Sequence, residues 1–289
     1  MKNKIGVHAL VWVGGWSETE SERAIAATAA CGYDLIEVPL LDPGAVDPEV
    51  TARQLESHGI EATTSLGLSF DTDISSTDPD AVARGEALLN DALSVARDMG
   101  SKYLGGVLFS ALNKYPAPAT AEGRRNSIEV LARLAEKAKA SGITLGLEAV
   151  NRYESNLINT GAQAADFIKE TGSDNIKVHL DSYHMNIEEG DLAASIKACG
   201  DMLGYFHVGE SHRGYLGTGT VDFRTIFRNL ADIGFTGTIT FESFSSAVVD
   251  PNLSTALAVW RNLWSDGEDL ARHAKSFMDS ELYAATQRV

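Results

Sequence analysis

Short apolar runs alternate along this chain with longer stretches of helical periodicity. The runs at residues 5–12, 33–40, 61–68, 103–109, 144–150, 176–181, 205–210 and 238–244 read as eight strands. Segments such as 81–99, 122–140 and 162–169 read as helices between them. In the segment 127–140, Ile128, Leu131, Leu134, Ala135 and Ala138 recur at helical spacing, while Glu129, Arg133, Glu136, Lys137 and Lys139 take the remaining positions. That division predicts one face packed and one face solvated. Helix exits carry a glycine, as in His58-Gly59-Ile60 and Ser141-Gly142-Ile143. A left-handed residue there closes the helix before the next strand begins.

Strands that are apolar on both faces, such as Thr144-Leu145-Gly146-Leu147, indicate a parallel sheet covered by helices. Eight such units predict a (β/α)₈ barrel, with a doubly wound open sheet as the structural alternative. No linker or low-complexity tract divides residues 1–289, so the chain reads as one domain. Residues 252–289 are expected to supply the last barrel helix and an extra C-terminal helix, with 260–283 as a long helical tail suited to an interface.

Composition adds exclusions. With 24 Lys and Arg against 40 Asp and Glu, the net charge is −16, which repels a phosphate backbone and argues against a nucleic-acid partner. Cys31 and Cys199 lie singly in helical patterns, as expected of two packed, reduced thiols. The start of the chain has no signal-peptide pattern, and no apolar run is long enough to span a bilayer. The expectation is a cytoplasmic protein with no membrane partner.

Barrels of this kind carry their chemistry at the C-terminal strand ends. The last four strands end Leu147-Glu148-Ala149, Leu180-Asp181-Ser182, Phe206-His207-Val208 and Phe241-Glu242-Ser243. One carboxylate at a strand end is most often a helix cap or a solvated loop residue. Four chemistry-bearing residues on adjacent strands are different, because three carboxylates gathered in one partly buried mouth repel one another. A divalent cation removes that repulsion. Three carboxylates and one imidazole suit Mn²⁺, Co²⁺ or Mg²⁺, with Mn²⁺ favoured. Glu148, Asp181, His207 and Glu242 are therefore the candidate metal ligands. His179 receives no role, and Glu210 at most a supporting one.

At the same places the chain resembles a known group. The runs Leu147-Glu148-Ala149-Val150-Asn151-Arg152-Tyr153-Glu154, Leu180-Asp181-Ser182-Tyr183-His184-Met185-Asn186-Ile187-Glu188-Glu189 and Phe206-His207-Val208-Gly209-Glu210 are similar to the ketose 3-epimerases. That group includes the D-tagatose, D-allulose (psicose) and L-ribulose 3-epimerases of the xylose isomerase-like barrel superfamily. The likeness runs along nearly the whole chain. It implies that Glu148 and Glu242 are the acid/base pair as well as ligands, and that Glu154, His184 and Arg213 hold the O1–O3 end of the sugar. It implies further that Trp16 and Phe244 border the far end, with His8 also lining the pocket. His8 stands where the group often has an aromatic residue, Ser65 where some members have cysteine, and Ser243 where proline is common. A homodimer or homotetramer is implied as well.

The implied reaction inverts C3 of a free ketose of the D-fructose/D-allulose, D-tagatose/D-sorbose or L-ribulose/L-xylulose type. One glutamate removes the C3 proton to give a cis-enediolate, and the other returns a proton to the opposite face. The glycine-rich Gly217-Thr218-Gly219-Thr220 after the seventh strand carries no lysine, which favours an unphosphorylated sugar. Two rivals share the barrel: an aldose–ketose isomerase moving a proton between C1 and C2, and an apurinic endonuclease. Seven histidines and the acidic charge count against the second.

Overall fold

The computed structural model describes residues 2–249 and 251–287. Its strands are β1 (Ile5–His8), β2 (Leu35–Pro39), β3 (Glu61–Leu68), β4 (Tyr103–Ala111), β5 (Thr144–Glu148), β6 (Ile176–Asp181), β7 (Leu203–Val208) and β8 (Thr238–Phe241). They pair in parallel and in sequence order, and β8 returns to β1 to close a barrel. The expected (β/α)₈ architecture is therefore the observed one.

The helices are α1 (Glu18–Ala30), α2 (Pro48–His58), α3 (Pro79–Asp98), α4 (Ala121–Ala140), α5 (Gly161–Thr171), α6 (Ser182–Glu188), α7 (Leu192–Cys199), α8 (Phe223–Asp232), α9 (Pro251–Ala256) and α10 (Gly267–Thr286). Their starts follow capping chemistry: Asp47, Asp78, Thr120 and Asp266 each accept a backbone N–H of the first turn. On α4, Leu131, Leu134, Ala135 and Ala138 are buried as the periodicity requires, Val130 is buried beside them, and Ile128 is half-buried. Gly59 closes α2 at φ 66°, a conformation that disfavours a Cβ.

Several strands are shorter than their apolar runs. After His8 the chain turns through a 3₁₀ segment, Ala9–Val11, whose residues are themselves buried, so hydrophobicity continues where pairing stops. β7 ends at Val208 and β8 at Phe241, which leaves Glu210 and Glu242 just beyond their strands. The C-terminal part holds the short additional helix α9 ahead of α10, and residues 260–266 are not helical. The longer α10 packs on α8 and receives a hydrogen bond from Tyr33, whose hydroxyl donates to the Ala271 carbonyl at 2.7 Å. It thereby closes the helical ring. The far end of the tail, Arg288 and Val289, lies outside the described residues.

Among the described residues no helix is long and apolar enough to cross a membrane. Cys31 and Cys199 are both free and buried. Burial pushes the Cys199 thiol up to about 12 and raises that of Cys31, so little thiolate forms near neutral pH. An aromatic disulfide reagent at pH 8 should find no reactive thiol in the folded protein and both after denaturation; a thiol that titrates in the native state would refute this.

Candidate active site

Strand register brings the predicted residues into one mouth. Glu148 lies opposite His179, Asp181 opposite His207, and His207 opposite Thr240, two positions before Glu242. Glu148, Asp181, His207 and Glu242 are all buried, and each offers a ligand atom within 4.8 Å of the others. His207 Nδ1 lies 3.5 Å from Glu148 Oε1 and 3.5 Å from Glu242 Oε1. Its other nitrogen, Nε2, donates to Glu37 Oε2 at 2.7 Å. Burial opposes charge on this ring, yet Glu37, Glu242 and Glu148 outweigh it and raise His207 well above the ordinary histidine value. Burial likewise lifts Glu148 well above the usual carboxylate range, with Glu242 and Asp181 adding to the lift. Both shifts say that positive charge is favoured between these groups, and a divalent cation supplies it. The four residues fit such an ion, and His207 Nδ1 has no hydrogen-bond partner of its own.

Arg213 reaches the same point from the loop after β7. Its Nη1 is 2.8 Å from Asp181 Oδ2 and 2.6 Å from Glu242 Oε2, and its guanidinium lies 4.0 Å from the Tyr183 ring centre. The residue holds a left-handed backbone at φ 61°, uncommon without glycine. Two contacts stabilise it. Gly209 leaves the room, since a Cβ there would stand 2.6 Å from Arg213 Nη1. Ser243 Oγ donates to the Arg213 carbonyl and accepts from Trp264 Nε1 at 2.8 Å. A hydroxyl at position 243 thus anchors the arginine loop, which a proline could not do.

His184 has its tautomer set by its neighbours. The backbone N–H of Asn151 donates to His184 Nδ1 at 3.2 Å, so the ring proton sits on Nε2. That N–H faces Glu148, Asp181 and Glu154 at 3.6, 3.7 and 3.9 Å. Burial brings His184 down to about 3, making it a neutral donor rather than the cation that is the other option for this position. Glu154 accepts from Asn151 Nδ2 at 2.8 Å, and burial, offset in part by Arg213, raises it to about 7.

His8 also lines the mouth. Its Nδ1 accepts from the Leu10 N–H at 3.2 Å, so its Nε2–H points toward Glu37 and Glu242, at 3.8 and 4.0 Å. Phe244 packs edge-on against it, with ring centres 5.8 Å apart. Leu10, Leu257, Val259, Trp260 and Leu263 complete an apolar wall, and Ser65 lines the pocket as well. Trp16 is not part of that wall. Its indole N–H donates to Thr51 on α2 at 3.2 Å.

Three residues gain places that sequence reasoning did not give them. Glu37, in the middle of β2, is buried beside the ligand cluster and accepts from His207 and Tyr205. Burial opposes its charge, but His207, His8 and His179 hold it below the usual carboxylate range. The signal was present, since Leu35-Ile36-Glu37-Val38 is a carboxylate inside an apolar strand. His179 points into the barrel like Asp181, two residues on. It packs edge-on against Tyr205 and His207, with ring centres 4.8 and 4.2 Å away. Glu210 accepts the backbone N–H groups of Ser211, Gly217 and Val221, and so organises the loop that carries Arg213.

Comparison with known proteins agrees with this arrangement. Residues 25–280 match the family model described as xylose isomerase-like TIM barrel. An L-ribulose 3-epimerase of Methylomonas sp. (strain DH-1) is 52% identical over 273 residues, covering 94% of this chain and 96% of that protein. A ketose 3-epimerase of Arthrobacter globiformis is 48% identical over 281 residues, covering 97% of each. The crystal structure of a D-allulose 3-epimerase from Methylomonas sp. in complex with D-allulose superposes with a TM-score of 0.95 at 51% identity, over 96% of this chain and 97% of that one. This chain belongs to the xylose isomerase-like TIM barrel family and, within it, to the ketose 3-epimerases, which are carbohydrate isomerases.

Proposed function

We propose that the protein inverts C3 of free ketoses, of the D-fructose/D-allulose, D-tagatose/D-sorbose or L-ribulose/L-xylulose type, with a divalent metal ion, Mn²⁺ in preference to Co²⁺ or Mg²⁺. The observation that carries the reading is the pair Glu148 and Glu242. Strands β5 and β8, with β6 and β7 between them in the closed barrel, bring their carboxylates to the same buried imidazole nitrogen at 3.5 Å each. A planar carbon held between them has a proton acceptor toward one face and a proton donor toward the other.

The chemistry follows from the acidity of a C–H next to a carbonyl. One glutamate takes the C3 proton, the electron pair moves into a C2–C3 enediolate, and the other glutamate returns a proton to the opposite face. Held by Glu148, Asp181, His207 and Glu242, the ion would supply Lewis-acid stabilisation of charge on the sugar's O2 and O3. His184, through its Nε2–H, and Arg213 aim donors at the same developing charge, and Glu154 accepts from a sugar hydroxyl. His8 offers its Nε2–H to a hydroxyl further along, and Phe244 walls the far end. Trp16, turned to Thr51, has no place in this reading.

An unphosphorylated substrate is supported by Glu210. The amides of Gly217 and Val221 donate to its carboxylate at 2.9 and 3.3 Å, and those of Thr218 and Thr220 donate to the Tyr215 carbonyl and Ser211 Oγ, which leaves no open nest for a phosphate. Assembly as a homodimer or homotetramer belongs to the same proposal.

Turnover of D-fructose in D₂O tests the reaction class. Deuterium is expected at C3 of the product and of recovered substrate. Label confined to C1 would replace the reading with aldose–ketose isomerisation.

A further inference from the structure

Glu37 stands outside the four candidate ligands, yet its surroundings are built as carefully as theirs. Its Oε2 is 2.7 Å from His207 Nε2 and 2.8 Å from the Tyr205 hydroxyl. The Tyr205 oxygen in turn lies 2.7 Å from Thr63 Oγ1 and 2.7 Å from Thr240 Oγ1. A phenol has one proton and an ionised carboxylate has none, so Tyr205 donates to Glu37 and the two threonines donate to Tyr205. The chain of bonds ties β2, β3, β7 and β8 together, and strands so placed meet only inside the barrel. Glu37 and Tyr205 are each 1% exposed.

We infer that Glu37 is a positioning residue for the metal site: it holds the His207 proton on Nε2 and thereby presents Nδ1 to the ion. The inference rests on the metal reading above. A carboxylate on the far nitrogen of a ligating imidazole selects the tautomer, fixes the ring's orientation and makes the ligating nitrogen more basic. Here Tyr205 and the threonines fix the carboxylate itself, through a side chain that begins two residues before His207 on the same strand. The competing account gives Glu37 only a structural task, as the buried acceptor that anchors Tyr205.

Mn²⁺ binding to the chelator-stripped full chain, followed by the electron paramagnetic resonance of free Mn²⁺, separates the two. Glu37→Gln keeps the shape and an acceptor but loses the charge; its Mn²⁺ affinity is expected to fall about 10–100-fold. The visible bands of the Co²⁺-loaded variant should shift from those of the parent protein. Tyr205→Phe keeps the charged carboxylate against His207 but loosens its hold, so its Mn²⁺ affinity should fall less than that of Glu37→Gln while its thermal stability falls. Parental Mn²⁺ affinity and unshifted Co²⁺ bands in Glu37→Gln would overturn the inference, as would a Tyr205→Phe loss equal to that of Glu37→Gln. If Glu37→Gln does not fold, Glu37→Asp, which withdraws the charge from His207, decides in the same way: weaker binding supports the assignment and unchanged binding overturns it. Failure of the unsubstituted protein to bind Mn²⁺ would instead sink the metal reading itself.

Discussion

Glu148→Gln and Glu242→Gln each lower kcat for epimerisation by about 10²–10⁴-fold, the range expected when a positioned proton-transfer group is removed. The more telling outcome is what each variant keeps. With two groups serving opposite faces of C3, one epimer gives its proton to Glu148 and the other gives its proton to Glu242. In D₂O, a variant lacking one glutamate should still exchange the C3 hydrogen of one epimer with solvent without inverting it, and the other variant should exchange only the opposite epimer. Proton NMR of the C3 position in each pure ketose reads this directly. Both epimers exchanging equally in either variant would mean that one group serves both faces, and the two-glutamate assignment would be lost.

Stripping the metal ion abolishes turnover and lowers the melting temperature by roughly 5–10 °C relative to protein holding Mn²⁺ at about 100 times its dissociation constant. That occupancy corresponds to about 2.7 kcal/mol of linkage. The reason is electrostatic: Glu148, Asp181 and Glu242 converge in a buried mouth, with Glu37 behind His207. Arg213, at 2.8 Å from Asp181 and 2.6 Å from Glu242, answers part of that charge but leaves Glu148 facing only the imidazoles of His184 and His207. Calorimetry and a turnover assay after chelation, then after adding back Mn²⁺, check both effects. Full activity in ion-free protein would refute the metal requirement.

Much of this was legible from residue pattern. Eight apolar runs separated by amphipathic helices specify the barrel because burial on both faces of a strand and on one face of a helix leave different periodicities. Glu148, Asp181, His207 and Glu242 stood out because each interrupts an apolar run at a strand end. Glu37 interrupts its run in the same way, but its partners, His207 and Tyr205, lie far away in sequence. A lone carboxylate also has a blander reading as a cap. Strand ends were harder to place, since the 3₁₀ turn Ala9–Val11 is as buried as the strand before it. Trp16 bonds to Thr51 on α2, a partner distant in sequence that side-chain pattern does not reveal. The wall formed by Leu257, Val259, Trp260 and Leu263 follows neither period, because an irregular arm presents it. The bonds of Ser243 and Glu210 with their loops depend on tertiary approach and leave no trace in spacing.

Glu210 has a consequence for the rhythm of turnover. By gathering the N–H groups of Ser211, Gly217 and Val221 onto one buried carboxylate, it completes the ordering of the arginine loop when the protein folds. An arriving ketose meets Arg213 already aimed, so this side of the mouth has no closing step to wait for. The apolar arm beside it is more open, with the Trp260 side chain 71% exposed to solvent. The arginine side of the mouth is a fixed jaw.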